Sequence, residues 1–406
     1  MSTELVKRGA FTIGALLVWR LGTYIPLPGI DPTAWEMLFQ SQSRGILGQA
    51  NALSGGALHR LGIFSLSLTP YITSAVILQL LSMVSRTLRR LADDEPGRRK
   101  LELATVAGTA LLAALQSYGI AIGLEAAGTV VAEPGPLFRL MTVLTLTAAT
   151  LVLVWLAGQI TARGLGNGIA LILATGIVST LPSGLAGLLE MMRQGIVAPN
   201  ALAVIALVIA ASTALVVAVE RARRRLPVEF AERRIGMQRQ TADITLKLNP
   251  AGLMPVIMVA MTFTIVLLAL SFASLLASRL GWFGGFDISI GALVRLVATA
   301  ILIALFAFLY TAFVCDPDQM AARLAASGGT LPGITPGEPT AAYLDRTISR
   351  SAAIGALYLV MVMLVPELVA LWRALPVVPG GMPILVLVCV GLDLMAEIRA
   401  RAAESK

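Results

Sequence analysis

The chain has 406 residues, of which 57% are hydrophobic and only 13% are charged, and its mean hydropathy is +0.84. Soluble domains carry about 25% charged residues, so this composition excludes a soluble protein and predicts a polytopic membrane protein. The net charge of +8 becomes informative through its distribution, because Lys and Arg concentrate in cytoplasmic loops.

The apolar runs predict an all-α fold with ten membrane spans. The second run is short, because 16 residues from Leu68 to Met83 form a helix of about 24 Å, less than the ~30 Å hydrocarbon core. The first run has no small-residue cleavage site behind it and is predicted to be retained. The ten runs lie at about 9–28, 68–85, 101–122, 137–160, 168–188, 201–219, 252–277, 292–314, 350–372 and 378–398.

Basic residues predict the orientation of these spans. Of the 31 Lys and Arg residues, 23 lie in the two termini and in the connections at 86–100, 161–167, 220–251 and 315–349, against 7 in the other connections. This asymmetry predicts that both termini are cytoplasmic, and an even number of spans agrees. Two halves of five spans, 1–190 and 191–406, would then have opposite orientations and a pathway at their interface, although no residue repeat relates them.

Residues that could support catalysis or bind a metal are scarce. Cys315 and Cys389 lie beside or within apolar runs, and His59 is the single histidine. No Cys/His cluster and no glycine-rich phosphate loop occurs, so the sequence predicts no metal site, no cofactor and no catalytic residue. We therefore expect that the protein is not an enzyme.

The stretch 51–83 interrupts the pattern of ordinary spans. A glycine-rich start, Ser54-Gly55-Gly56, is followed by a short charged segment, by Thr69-Pro70-Tyr71 and by the short second span. This order predicts a half-helix, a proline break and a short membrane helix. Irregular backbone at membrane depth occurs only where it is buried or lines a cavity, which indicates the wall and stopper of a pathway. A re-entrant loop that only packs, or a proline-kinked helix, is the alternative.

Two predicted cytoplasmic loops are longer than a connection requires. The loop 220–251 is extended and rich in arginine, which fits either a docking surface or a simple topology determinant at the lipid headgroups. The loop 315–349 has few basic residues and a turn-dense centre, Gly328–Gly337. We predict that it is ordered and protrudes as a fixed knob.

Six stretches carry a resemblance to one family. They are Arg20–Asp31 (RLGTYIPLPGID), Ser54–Leu81, Gly97–Lys100 (GRRK), Ile160–Pro182, Leu246–Ile257 (LKLNPAGLMPVI) and Leu331–Thr340 (LPGITPGEPT). Each is moderately specific, and together they cover nearly the whole chain in the expected order and spacing. They resemble the SecY family, the central subunit of the bacterial protein-conducting channel.

The resemblance implies ten transmembrane helices in two inverted five-helix halves around an hourglass pore. It also implies a ring of apolar side chains at the waist, which would comprise Leu68, Ile72, Leu173, Ile257 and Val386. Such residues would offer a passing polypeptide no hydrogen bond and no charge, and an apolar constriction can gate by dewetting. Without the resemblance, each would be interpreted as ordinary core or lipid-facing packing.

The resemblance further implies a plug that closes the pore. We call it the plug segment, and it would comprise Ala57, Leu58, His59, Arg60, Leu61, Gly62, Ile63, Phe64, Ser65 and Leu66. Because a plug must leave and return, we expect weak packing, with Gly55, Gly56 and Gly62 as hinges that make few contacts. His59 and Arg60 are expected to keep its outer end in water.

Spans two and seven form a lateral gate in this family, through which a signal sequence or a membrane segment leaves into lipid. Pro70 and Pro255 are expected to break the starts of these two helices and to weaken one turn of each. Gln79 lies in the middle of span two. It would either bridge the gate by hydrogen bonding or be satisfied inside the bundle.

The two long loops correspond to the family's docking site for the SecA motor ATPase and, alternately, the ribosome, whose RNA-rich surface attracts arginine. The docking residues would be Arg223, Arg224, Arg225, Arg233, Arg234, Thr335 and Arg346. The family usually has arginine where this chain has Thr335, so either Arg346 or the Arg223–Arg225 cluster compensates, or motor coupling differs.

The further partners implied are small SecE-like and SecG-like membrane subunits, unfolded secretory and membrane polypeptides, and the lipid bilayer. The implied location is the bacterial cytoplasmic membrane. Three other functions stay open from the residues: a secondary transporter of a small solute, an insertase or assembly scaffold, and an accessory Sec channel with restricted substrates. A transporter would need ionisable residues at the midplane, and the predicted spans are nearly free of them.

Overall fold

The computed structural model describes residues 3–42, 51, 54–195, 197–230, 241–279, 292–372 and 380–404. Within these residues, each of the ten predicted spans coincides with a helix, which confirms the predicted helical spans. The elements in chain order are α1 Thr3–Gly22, α2 Pro32–Gln42, α3 Thr69–Val84, α4 Arg86–Asp93, α5 Glu95–Ala126, α6 Pro136–Arg163, α7 Gly168–Arg193, α8 Pro199–Arg221, β1 Arg223–Phe230, β2 Thr241–Lys247, α9 Met254–Arg279, α10 Ala292–Val314, α11 Pro317–Ala326, β3 Gly329–Thr330, α12 Glu338–Trp372 and α13 Gly381–Glu404.

The length and composition of these helices suit a membrane protein. Seven described helices are long and apolar enough to cross a membrane. Two shorter apolar helical stretches are α3 and the first part of α9, Met254–Val266. Helix α3 has 16 residues, as predicted for the short second span. Helix α1 has 20 residues and carries Glu4 in its first turn and Arg20 in its last.

Caps and prolines explain where several helices begin. Asn167 accepts hydrogen bonds from the backbone N–H groups of Ile169 at 3.0 Å and Ala170 at 3.3 Å and is the N-cap of α7. Asp316 caps α11 by accepting the N–H of Gln319 at 3.2 Å. Proline occupies the first or second position of α3, α6 and α11, where its missing N–H costs no helical hydrogen bond.

The described chain forms two compact units. The first unit comprises Met1–Ile205, Thr264–Leu270 and Ala370–Lys406, and the second comprises Ala206–Phe263 and Ser271–Val369. The division into halves at residues 1–190 and 191–406 stays a prediction.

In the first unit, α5 and α6 pack as a helical hairpin. Its turn is closed by an ion pair, because Arg139 Nη2 lies 2.6 Å from Glu125 Oε2. Glu125 also accepts the N–H of Gly135 at 2.9 Å. The buried faces of the hairpin join residues of the plug segment in one apolar cluster, formed by Leu27, Leu61, Leu66, Ala113, Ala121, Leu124, Val130, Phe138 and Leu146.

In the second unit, the two long loops form one antiparallel sheet with the strand order β2-β1-β3. Strands β1 and β2 pair from Arg223↔Lys247 to Glu229↔Thr241, and Glu229 also pairs with Thr330 of β3. We call β1, β2, β3, α11 and the first three turns of α12 the sheet subdomain. Its core consists of Leu226, Val228, Ala321, Leu324, Leu331, Ala341, Leu344 and Ile348.

The sheet subdomain confirms that the loop 315–349 is ordered. Helix α12 begins at Glu338, well before the predicted start of span nine at residue 350, and most of the rest of the loop folds as α11 and β3. The loop 220–251 is extended, as predicted, but its extension is a strand pair rather than a free loop. The sequence analysis did not predict that β1 and β3 would pair, since they are about a hundred residues apart.

Candidate channel elements

Residues 54–68 form consecutive turns with one isolated bridge, so the predicted half-helix before Pro70 is wrong. Gly55 and Gly56 have φ values of +68° and +81°, and Leu61 and Ser67 also have positive φ, at 45° and 51°. Positive φ is rare for residues with a side chain and incompatible with a right-handed helix. The backbone therefore reverses repeatedly instead of forming a helix.

The second half of the plug segment is tightly packed, which contradicts the expected weak packing. A Cβ atom on Gly62 would lie 2.7 Å from the carbonyl oxygen of Thr23. Gly62 therefore permits a close approach of two backbones rather than serving as a hinge with few contacts. A side chain at Gly22 would likewise overlap the ring of Phe64. The buried side chains, all at most 8% exposed, are Ala57, Leu61, Phe64, Ser65 and Leu66.

Backbone hydrogen bonds fix this second half to the segment that follows α1. The N–H of Leu27 donates to the carbonyl oxygen of Leu61 at 2.9 Å, and the N–H of Ile63 donates to that of Ile25 at 2.9 Å. The same segment continues onto the α5–α6 turn, where the N–H of Asp31 donates to Val130 at 2.8 Å. The end of the plug segment is thus part of a continuous backbone-bonded layer.

In the first half of the plug segment, Ala57 is also buried, and the residues after it are held by directed contacts. Trp35 Nε1 lies 3.1 Å and 3.0 Å from the carbonyl oxygens of Leu58 and His59 and donates to both. The guanidinium of Arg60 lies 4.2 Å from the centre of the Tyr24 ring. Arg60 is exposed, in agreement with the expected hydrated end, whereas His59 is half-buried.

A second guanidinium, from α1, reaches the turn just before the plug segment. Arg20 Nη1 donates to the carbonyl oxygen of Gly55 at 2.5 Å and to Ser179 Oγ of α7 at 3.1 Å. Its Nη2 donates to the Tyr24 hydroxyl at 3.0 Å. The sequence analysis assigned Arg20 no role. The available signal was that Arg20 is the only charged residue in the run 9–28.

The predicted ring residues are buried or half-buried at helix positions of both units. Leu68, Leu173 and Val386 are 0%, 7% and 1% exposed, and Ile72 and Ile257 are half-buried. Leu68 immediately precedes α3, and Ile72 lies in its first turn. Leu173 and Val386 lie on α7 and α13, two helices that pack against each other in the first unit. Ile257 belongs to the first turn of α9, so the complete ring stays a prediction.

The gate prolines start their helices and do not break them. Pro70 is the second residue of α3 and Pro255 is the second residue of α9. The expected weakened turn is absent there, because proline at this position lacks an N–H that would have no helical partner. Gln79 lies on α3 and is half-buried, and its role in a gate stays a prediction.

Four of the predicted docking residues lie in the sheet subdomain, and Thr335 lies between β3 and α12. Arg223, Arg224 and Arg225 follow one another on β1, and all three are exposed, as are Thr335 and Arg346. Arg346 lines an open groove along α12, together with Asp345 and Arg350. Arg233 and Arg234 lie outside the described residues.

A polar cluster that the sequence analysis missed closes the base of the β1–β2 hairpin. Asn249, which is 1% exposed, donates through Nδ2 to Glu220 Oε1 at 2.9 Å and to the carbonyl oxygen of Gly252 at 3.1 Å. Tyr358 donates to the same carboxylate oxygen at 3.5 Å. We call Glu220, Asn249 and Tyr358 the hairpin root, and its sequence signal was the Asn249-Pro250 pair at the entry to span seven.

Comparison with known proteins identifies the family. The family model for SecY matches residues 62–395. The protein translocase subunit SecY of Escherichia coli K12 is 39% identical over 414 residues, which cover 99% of this chain and 93% of that protein. The protein of the same name from Rickettsia typhi is 35% identical over 100% of this chain and 95% of its own length. The chain belongs to the SecY family.

Solved SecY-type structures share the fold. A protein-conducting channel superposes with a TM-score of 0.68 at 16% identity, covering 98% of this chain and 93% of that one. Sec61 in the canine ribosome-channel complex superposes with a TM-score of 0.66 at 16% identity and the same coverage. The fold is therefore the ten-helix SecY architecture of a multi-pass membrane protein.

Within the described residues, no group of three or more His, Cys, Asp or Glu side chains lies close enough together to hold a metal ion. Acidic side chains in the described part of the chain also form structural contacts between elements. Glu397 of α13, for example, accepts the N–H of Gly166 at 2.8 Å and pairs with Arg401 at 2.7 Å. Its carboxylate thereby ties α13 to the turn before α7.

Proposed function

We propose that this chain is the channel-forming subunit of a protein translocase, which passes unfolded polypeptides across the bacterial cytoplasmic membrane and releases membrane segments sideways into lipid. The observation that carries the proposal is the 39% identity to a protein translocase subunit over 99% of the chain. The match extends from the plug segment into α13, so the parts that a channel needs fall within it. A small-solute transporter would have no such counterpart.

The chemistry of the proposed constriction supports this function. Leu68, Ile72, Leu173, Ile257 and Val386 are all aliphatic, so the ring would present neither hydrogen-bonding groups nor charge to a passing chain. A polypeptide would therefore move without being held, and an empty apolar ring resists wetting by water and ions. Movement would be driven by a partner, and the chain itself would act as a passive channel rather than an enzyme.

The lateral gate would form between α3 and α9. Both helices begin at a proline-containing first turn, with Pro70 and Pro255 as second residues, and α3 is short for a membrane helix. Gln79 would provide a polar contact across the closed gate. In this proposal the gate separates when a signal sequence enters between the two helices.

The sheet subdomain would be the docking surface on the cytoplasmic side. Its exposed arginines, Arg223, Arg224 and Arg225, together with Arg346, give it a basic surface suited to an acidic motor protein or to ribosomal RNA. Sec61 in the canine complex is bound to a ribosome, which supports the ribosome as a partner. A SecA-like motor ATPase and SecE-like and SecG-like small subunits complete the proposed assembly, with both termini in the cytoplasm.

Site-specific crosslinking tests the channel. A photoreactive amino acid at Ile72 or at Ile257 should crosslink to a secretory precursor that is arrested during transport. The control position is Leu144 of α6, which is 57% exposed and would face lipid. A precursor that crosslinks at Leu144 but never at Ile72 or Ile257 would contradict the proposed pathway, and strict restriction to a few precursors would favour an accessory channel.

The docking proposal has its own test at Thr335. This exposed residue stands where the family usually has arginine, so Thr335→Arg should restore a bidentate donor and raise motor-driven transport in membrane vesicles by about two- to fivefold, the effect of one exposed ion pair. Thr335→Gln, which lengthens the same side chain without adding a charge, is the control. Unchanged or reduced transport by Thr335→Arg would contradict a docking role for this tip.

A further inference from the structure

The hydrogen bonds of Arg20 join three elements of the first unit. Its guanidinium, on α1, donates to the Gly55 carbonyl oxygen before the plug segment, to Ser179 on α7 and to Tyr24 after α1. All three acceptors are neutral, and the salt bridges found among the described residues do not include Arg20. The guanidinium is therefore held by short-range hydrogen bonds to neutral groups. Each of these bonds is lost when its acceptor, such as the Gly55 carbonyl oxygen, moves away.

We propose that Arg20 is a latch that holds the channel closed by fixing the plug arm, residues 54–60, against α7. When the channel opens, the plug arm moves, and the plug anchor, residues 61–66, stays in place. The inference rests on the proposed channel function and adds to it the residue that positions the plug and the part of the plug that moves.

The plug anchor has the contacts of a fixed element. Its backbone is bonded to the segment after α1 at Leu61 and Ile63, both at 2.9 Å. Leu61 and Leu66 are part of the apolar cluster of the α5–α6 hairpin, and Gly62 lies against the Thr23 carbonyl with no room for a Cβ. Moving the anchor would expose this cluster and leave backbone groups unpaired, which costs far more than moving the arm.

The plug arm is joined to the neighbouring helices by directed contacts. Besides the Arg20 bond to Gly55, these include the Trp35 indole bonds to the carbonyl oxygens of Leu58 and His59, the edge contact of the Phe39 and His59 rings and the close approach of Gly55 to the Trp19 ring. Loss of Arg20 leaves the arm hydrogen-bonded to α7 only through the longer bond, 3.4 Å, that Ser179 Oγ donates to the Gly55 carbonyl oxygen. The junction between arm and anchor is Leu61, whose φ of 45° is strained for a leucine, and this places the pivot at that residue.

Conductance of the full chain, purified with the subunits that accompany it and placed in planar bilayers without precursor, tests the latch. Arg20→Gln keeps the side-chain length and removes the charged fork, and it should raise the resting open probability about tenfold, equivalent to ~1.4 kcal/mol. Ser179→Ala and Arg20→Lys, which each lose part of the network, should raise it about two- to threefold. Arg8→Gln, a change on the same helix at an exposed pair with Glu4, should leave it unchanged.

Thiol labelling separates a latch from a general structural role. In a chain with Cys315→Ser and Cys389→Ser, a single cysteine is placed at Leu58 in the arm or at Ile63 in the anchor, both half-buried positions. Arg20→Gln should speed maleimide labelling at position 58 about tenfold and leave position 63 unchanged. An equal increase at both positions, or no increase at position 58, would overturn the proposal.

The remaining outcomes also decide between alternatives. If Arg20→Gln does not accumulate in membranes, Ser179→Ala and Arg20→Lys are measured with the same two assays. If both variants then have the open probability of the wild type, the latch proposal is wrong. If the wild-type chain transports precursors but its Arg20 variants neither leak nor label faster, the latch fails and the channel stands. If an arrested precursor never reaches Ile72 or Ile257 in the wild type, the proposed function itself fails.

Discussion

The plug segment and the sheet subdomain are both ordered, but by different means. The sheet subdomain has regular strand pairing over an apolar cluster of eight fully buried side chains, so its stability is spread over many contacts. The plug segment has no regular element, and its first half and the turn before it are joined to neighbouring helices by individual hydrogen bonds from Arg20, Ser179 and Trp35. A region of the first kind can transmit force as one body, whereas a region of the second kind can be released by the loss of a few contacts.

The largest expected effect comes from emptying the core of the sheet subdomain. Leu344, on α12, is 1% exposed, and Leu344→Ala should cost about 2–5 kcal/mol of local stability through lost burial and the cavity left behind. Hydrogen exchange of the β1 and β2 amides measures this loss. Leu357→Ala is the control, because Leu357 lies on the same helix and is 58% exposed. Unchanged exchange in Leu344→Ala would show that the strands are ordered independently of the apolar cluster.

Gly62→Ala tests whether the plug anchor is as rigid as its contacts indicate. The new methyl group would lie 2.7 Å from the Thr23 carbonyl oxygen, and backbone displacement of this kind costs about 1–3 kcal/mol. The thermal unfolding midpoint of the purified chain in detergent should fall. Gly14→Ala on α1, where nothing lies within 4 Å of the added atom, should not lower it, and an equal midpoint for both variants would mean that the anchor can shift freely.

Asn249→Ala tests whether the hairpin root joins the sheet subdomain to the start of α9. The change removes the donor to the half-buried Glu220 carboxylate and to the Gly252 carbonyl oxygen, and the loss of these hydrogen bonds costs about 1–3 kcal/mol. Faster hydrogen exchange at residues 248–257 should report the loss. Tyr358→Phe removes the longer bond to Glu220, 3.5 Å, and should have a smaller effect. If Tyr358→Phe has the larger effect, the tyrosine rather than the asparagine is the main contact.

The smallest expected effect concerns Cys315, which packs at the edge of the sheet core. Burial raises the pKa of its thiol, and the thiolate is the reactive form. In a Cys389→Ser background, alkylation at pH 8 should therefore be slower in the folded chain than in the unfolded one. The buried, protonated thiol contributes its full share of the free energy of unfolding below the unfolded-state pKa of about 8.5. This contribution is lost as the pH rises through the raised pKa of the folded state. If the stability of the Cys315→Ser variant falls above pH 9 as much as that of the chain with Cys315, this prediction is wrong.

Much of the membrane part of the fold could be predicted from the sequence. Each apolar run became a helix because a chain in lipid must satisfy its backbone groups within the helix. The Asn167 cap was also predictable, since its side chain and the backbone it caps are neighbours in sequence. The short second span followed from counting residues between Leu68 and Met83, and it is helix α3.

The errors and omissions of the sequence analysis share a cause. Glycines 55, 56 and 62 suggested hinges, because the sequence shows only the missing side chain and not the Thr23 carbonyl or the Trp19 ring that fills its place. Pro70 and Pro255 suggested helix breaks, because the sequence does not show that each helix begins one residue earlier. The roles of Arg20 and Asn249 depend on partners that are distant in the chain.

The sequence by itself determined the order of the membrane-spanning helices, the family and the basic character of the long loops. These properties depend on hydrophobicity and on residues close together along the chain. The tertiary structure alone decided that β1 pairs with β3, that the end of the plug segment is anchored and that Arg20 reaches Gly55 and Ser179. The two Arg20 contacts join residues 35 and 159 positions apart, and no local pattern specifies which acceptor a donor will meet once the helices pack.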